Sequence, residues 1–143
     1  MSRYAGHVTS GGASDVRELR EVVIRKCSVG EYDNNAYLLT CRATGEQLLV
    51  DAAADAPRLR AFVAEGTGSL GGIVTTHRHG DHVRALVEIA SWSGASTASG
   101  ADDAAALPLA PDRAFVLGRR LPGATVSPYA ALLRSRREGG DAV

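Results

Sequence analysis

Aromatic residues are scarce in this 143-residue chain: they fill 5% of positions, with a single tryptophan, against 45% apolar residues overall. Much of the apolar fraction is therefore alanine, which buries less surface per residue than leucine or phenylalanine, so the core has to be thin. No uninterrupted apolar run comes near the roughly 18 residues of a membrane-spanning helix, and the first fifteen residues lack the charged-then-apolar order of a secretory signal. Net charge is absent too. The 16 Lys and Arg balance 16 Asp and Glu, and no overall field draws the chain to nucleic acid or anionic lipid. The basic run of Arg134, Arg136 and Arg137 is short and has no aromatic interleaving, which excludes a single-strand binding track. Two cysteines, Cys27 and Cys41, are too few for a disulfide framework and fit a reducing compartment as small hydrophobes in strands. Internal repeats are lacking, and the length suits one domain. The expectation is a cytoplasmic chain with no membrane or nucleic-acid partner.

What is present is a succession of short apolar runs. The first fifteen residues are rich in Gly, Ser and Thr and carry no apolar periodicity, so residues 1–15 are expected to form a flexible arm; His7 lies in it and is not expected to hold a metal. Val22, Val23, Ile24, Cys27 and Val29 form a β-branched run, followed by runs at 36–41 and 47–50, with turn chemistry at 32–35 and 44–46 between them. Asp55 is placed to cap a helix that tolerates Pro57 early, buries Leu59, Phe62 and Val63 at i, i+3 and i+4, and stops near Gly66. A strand over 70–76 leads into a second expected helix over 81–92, with Val83, Leu86, Val87 and Ala90 on its inward stripe. Residues 95–98 and 113–117 read as further strands, with a short helix or irregular loop up to Pro108. The domain is expected over 16–118, with a weakly structured tail over 119–143. Strands alternating with helices imply an α/β fold with a mixed sheet covered by helices on its outer face.

The strand-to-helix junction holds the chemistry. His77, His79, Asp81 and His82 stand in an H-x-H-x-D-H pattern, which places three of the chain's four histidines within six residues. At this chain's own residue frequencies such a pattern arises by chance in about 2 of 10,000 sequences. Taken singly, a loop histidine is usually solvated and Asp81 would be an ordinary helix cap. Together, clustered imidazoles have no stabilising purpose without an ion between them, and imidazole with carboxylate is the usual non-thiol donor set for zinc. Iron or manganese would suit the same donors. Gly80 is expected to keep the crowded loop free of clashes, and Arg78 and Arg84 flank the site, where they could orient an anionic substrate.

At these residues the chain resembles the N-terminal part of a metallo-β-lactamase-fold hydrolase, over roughly residues 22–98. The resemblance rests on the H-x-H-x-D-H block, the preceding Ile73-Val74-Thr75-Thr76, the Asp33-Asn34-Asn35-Ala36-Tyr37-Leu38-Leu39 run and the strand end Leu48-Leu49-Val50-Asp51. It implies part of an αββα sandwich, one zinc on His77 and His79, a second on Asp81 and His82, and Asp51 as a brace from the neighbouring strand end. It also implies a hydrolase of an ester, thioester or amide-type bond acting on a small-molecule substrate through a metal-activated hydroxide, with Asp81 also accepting a proton. The Asn-Asn-Ala-Tyr-Leu-Leu run points to the hydroxyacylglutathione-hydrolase-like branch.

Members of that superfamily draw further ligands, a His, a bridging Asp and another His, from their second half. This sequence has no His after His82, and Leu121-Pro122-Gly123-Ala124-Thr125 resembles the corresponding Pro-Gly-His-Thr block with Ala124 at the ligand position. The alternative expectation is therefore a truncated or frame-altered, catalytically incompetent member. It would bind metal weakly or act only by association with another chain, as a homo-oligomer through an uncovered sheet face.

Overall fold

The computed structural model describes residues 5–115. Its strands run in sequence order through one seven-stranded sheet: β1 (Asp15–Glu18), β2 (Val22–Val29), β3 (Asn34–Cys41), β4 (Gln47–Val50), β5 (Gly72–Thr75), β6 (Ser96–Gly100) and β7 (Arg113–Phe115). β1 to β4 form an antiparallel meander, and β4 to β7 are parallel. The change follows from the connections, since the turns between the early strands are tight whereas α1 (Ala56–Glu65) and α2 (Leu86–Ser93) each cross over between parallel strands. A short α3 (Ala101–Ala104) follows β6 directly. The expected α/β architecture, a mixed sheet with helices packed on it, is the architecture observed.

Register explains the core. Leu38, Leu49 and Ile73 are cross-strand partners on one sheet face, and Leu59, Phe62 and Val63 of α1 and Leu86 and Ile89 of α2 close over them in one apolar cluster. The opposite face buries a smaller cluster of Leu48, Val74 and Ala98, with Leu39 and Phe115 partly buried against it. β4 and β5 are buried along nearly their whole length, the pattern of central parallel strands.

α1 follows its sequence signals closely. The Asp55 side chain accepts from the Arg58 amide at 3.2 Å, Pro57 lies in the first turn, and Gly66 closes the helix. Gly66 is required by a close approach: a Cβ there would lie 1.8 Å from Oε1 of the buried Gln47. That amide accepts from Thr40 Oγ1 at 2.8 Å and from Thr67 N at 3.1 Å, and donates to the carbonyls of Val63 and Ser69 at 3.1 and 3.0 Å.

The second helix departs from expectation. Rather than spanning 81–92, the chain makes a 3₁₀ turn over Gly80–His82 and begins α2 at Leu86. The cause lies in the amides of Arg84 and Ala85, which donate to the carbonyls of Ala53 and Ala52 at 3.0 and 3.1 Å and so are engaged outside the helix. The later start shifts the inward face: Ile89 is fully buried, whereas Val87, expected inside, is 48% exposed. Gly80 is not a steric necessity either, because a Cβ at that position would meet nothing within 4 Å.

Residues 5–15, expected as a flexible arm, carry tertiary contacts. Ser10 bridges Ser28 of β2 and donates its hydroxyl to Gly30 O at 2.6 Å, Lys26 donates to Gly6 O at 2.7 Å, and Arg58 donates to Gly12 O at 3.1 Å. β1, a strand the apolar pattern does not announce, pairs with β2 through largely exposed side chains. Cys27 and Cys41 are both free thiols. The tail expected over 119–143, with its 121–125 block and the Arg134 to Arg137 run, lies outside the described residues, as do Met1 to Tyr4 and the end of the expected 113–117 strand. Among the described residues no helix is long and apolar enough to cross a membrane.

Candidate metal centre

The site begins at Asp51, one residue past β4. Its backbone is left-handed, φ 64°, a conformation that costs of order 1–3 kcal/mol outside glycine and that aspartate tolerates better than most residues. The carboxylate, only 4% exposed, is turned to the end of β5: Oδ1 accepts from the Thr76 amide at 2.8 Å, and Oδ2 accepts from the Thr76 hydroxyl at 2.7 Å. Oδ2 also lies 2.9 Å from Nδ1 of His82. Thr76 Oγ1 in turn lies 2.9 Å from Nδ1 of His77.

These contacts set both imidazole tautomers. An ionised carboxylate only accepts, so His82 must donate from Nδ1. The single Thr76 hydroxyl proton goes to Asp51, so His77 must also donate from Nδ1, to the Thr76 oxygen. In the neutral ring this arrangement leaves Nε2 without a proton, the form that binds a cation. The two ring centroids are 4.1 Å apart, and His79 packs edge-on to His77 at 4.6 Å.

Asp81 stands in the 3₁₀ turn. Nδ2 of Asn34, at the start of β3, donates to the Asp81 main-chain oxygen at 2.8 Å and to its Oδ2 at 3.1 Å. This amide holds the Asp81 carboxyl below the usual carboxylate range against an opposing desolvation effect, and the His82 and His79 imidazoles act in the same direction as the amide. Oδ2 of Asp81 and Nε2 of His82 are 3.7 Å apart, within the sum of about 4 Å that two bonds to one zinc ion span.

All four residues of the H-x-H-x-D-H pattern thus share one loop, but they are not equally gathered. Asp51, His77 and His82 bring donor atoms within 4.8 Å of one another, whereas His79 is exposed and Asp81 stands to one side against Asn34. Imidazole nitrogen with carboxylate oxygen is a donor set that fits a divalent metal. Arg78 and Arg84, considered as anion-orienting groups, already face acids: Arg78 lies 3.9 Å from Asp103, and Arg84 lies 3.3 Å from Glu31 with its guanidinium over the Tyr32 ring. Asn34 and Thr76 are the participants sequence reasoning passed over. Asn34 read as turn chemistry and Thr76 as a strand end, each also within a run that carries the resemblance, but neither with a role of its own, because its partner comes from a distant segment.

A mixed sheet whose strand ends deliver imidazoles and carboxylates to one loop is an α/β fold with a candidate metal site. The sequence model of the metallo-beta-lactamase superfamily matches residues 29–134, and the chain belongs to that superfamily. A hydroxyacylglutathione hydrolase of Fuscovulum blasticum is 45% identical over 76 residues, covering 53% of this chain and 29% of that protein. The hydroxyacylglutathione hydrolase of Roseobacter denitrificans is 41% identical over 76 residues with the same two coverages, 53% and 29%. The chain therefore matches less than a third of the length of these relatives. A subclass B3 metallo-beta-lactamase of Bradyrhizobium japonicum superposes with a TM-score of 0.55 at 21% identity, over 74% of this chain and 47% of that one, a likeness of fold alone.

Proposed function

We propose that the chain is a zinc-dependent hydrolase of a small-molecule ester, thioester or amide, with His77 and His79 holding one ion and Asp81 and His82 a second. The observation that carries this reading is the pair of histidines whose Nδ1 atoms are engaged by Asp51 and Thr76, which leaves each Nε2 free for a metal. Bound there, a divalent ion would supply Lewis-acid chemistry, polarising the scissile carbonyl and bringing water toward ionisation near neutral pH. The chain's own contribution is orientation. Asp51 braces the loop through Thr76 and accepts from the His82 ring, and Asn34 orients the Asp81 carboxylate. Asp81 stands where it serves as a ligand, 3.7 Å from Nε2 of His82, and as the proton acceptor expected of it. The names of the curated relatives support a thioester as the substrate class, and the balanced charge supports a small-molecule role over nucleic-acid binding.

The test is zinc content per subunit after loading and gel filtration, followed by release of thiol from an S-acyl substrate. Near two zincs per chain, with turnover that disappears on chelation and on His77→Ala, is the expected result. Zinc near zero overturns the reading. Zinc uptake without turnover would favour the alternative of a chain that binds metal and acts only in association with another copy or partner.

A further inference from the structure

We infer that Asn34 is a positioning residue that holds the Asp81 carboxylate in one orientation and so pre-forms the metal position shared by Asp81 and His82. The inference rests on the reading of Asp81 as a ligand and goes beyond it by assigning a role to a residue outside the motif. Asn34 reaches across 47 positions of sequence. Its amide has two hydrogens, and the structure places them on two atoms of one residue, the main-chain oxygen and Oδ2 of Asp81 at 2.8 and 3.1 Å. The first contact anchors the turn. The second, made together with the first, fixes the side chain relative to its own backbone, because a carboxylate rotated about its Cα–Cβ bond would lose a hydrogen bond that the backbone contact keeps in place.

This matters because the other contacts of the Asp81 carboxylate, its own main-chain amide and the His82 ring 3.7 Å away, are local and do not tie it to another element. The turn is three residues long, its N-terminal residue His79 makes no side-chain capping bond, and the Asp81 side chain is 35% exposed. A carboxylate free to change rotamer must be ordered when a metal arrives, and that cost falls on affinity; one already fixed 3.7 Å from Nε2 of His82 does not incur it. The hairpin carrying Asn34 is docked just beyond this turn by a separate tie, Glu31 and Tyr32 against Arg84, so loss of the Asn34 amide need not release the hairpin.

The experiment is a zinc titration of the full chain, freed of metal, by calorimetry with stoichiometry from elemental analysis. It compares the unaltered protein with Asn34→Ala, Asp81→Ala and the double variant. Asn34→Ala is expected to weaken one zinc by about 10- to 100-fold, the usual effect of losing a partner that orients a ligand, to leave the other unchanged, and to cost nothing further once Asp81 is alanine. The near-isosteric Asn34→Leu should show the same loss, which separates the missing amide from any cavity. An unaltered affinity in both Asn34 variants overturns the role of Asn34 while leaving the site reading intact. So does an equal loss with and without the Asp81 carboxylate, which would mark a general structural effect. Failure of the unaltered chain to bind zinc overturns the site reading itself, and this inference with it.

Discussion

Two strand-to-helix junctions lie side by side on this sheet, and they are built by opposite rules. Between β4 and α1 two aspartates divide the work: Asp51 turns to the neighbouring loop, while Asp55 caps the helix, which starts within a residue of the cap. Between β5 and α2 the polar residues serve one another. His79 makes no side-chain cap, the turn is 3₁₀, Ala85 stands at the start of α2 with no capping side chain, and Asp81 is held by Asn34 instead of by helix amides. The difference shows what a functional loop gives up. Side chains committed to a shared site are withdrawn from local stabilisation, and the neighbouring loop compensates by accepting the Arg84 and Ala85 amides on the carbonyls of Ala53 and Ala52.

The sharpest way to break the comparison is to destroy the capped side. Phe62, fully buried between α1 and the sheet, should cost about 3–5 kcal/mol when changed to alanine, measured by urea unfolding of the metal-free chain. A smaller effect belongs to pH. Cys27 lies in the same cluster, and burial pushes its thiol from 9.0 up to about 12. The unfolded chain therefore gives up this proton first, so the stability linked to it is complete below pH 9.0 and is lost as pH rises toward about 12. Cys27→Ala should flatten the alkaline limb of a stability-against-pH profile, and a profile parallel to that of the unaltered chain would count against the buried thiol. The smallest effect is the most discriminating: Asp55→Ala should lower metal-free stability by about 1 kcal/mol, whereas Asp81→Ala should change it by no more than about 0.5 kcal/mol. Equal costs from the two aspartates in matched urea curves would erase the distinction between the junctions.

This contrast also marks how far the sequence could be read. α1 was legible to its ends because cap, early proline, apolar spacing and terminal glycine are local signals that all agree. The strands at 22–29 and 47–50 were legible from β-branched and apolar runs, but β1 was not, since an edge strand with exposed Val16, Arg17 and Glu18 has no buried face to impose alternation. α2 was misread because the features that resemble a helix start, Asp81 and the following apolar periodicity, are answered by distant partners. The motif itself was legible from its H-x-H-x-D-H spacing. Their ordering was not, since it depends on the left-handed backbone of Asp51, on Thr76 meeting the Asp51 carboxylate, and on Asn34 reaching Asp81 from the start of β3.

Gln47 gives the molecule a further property. Its one amide group joins β3 through Thr40, the last turn of α1 through Val63, and the loop beyond through Thr67 and Ser69, with no space for a side chain at Gly66. None of these segments can open without stranding a buried amide. The meander and α1 therefore form one cooperative unit, in which the amides of Gly66 and Thr67 exchange with solvent only when the whole unit opens.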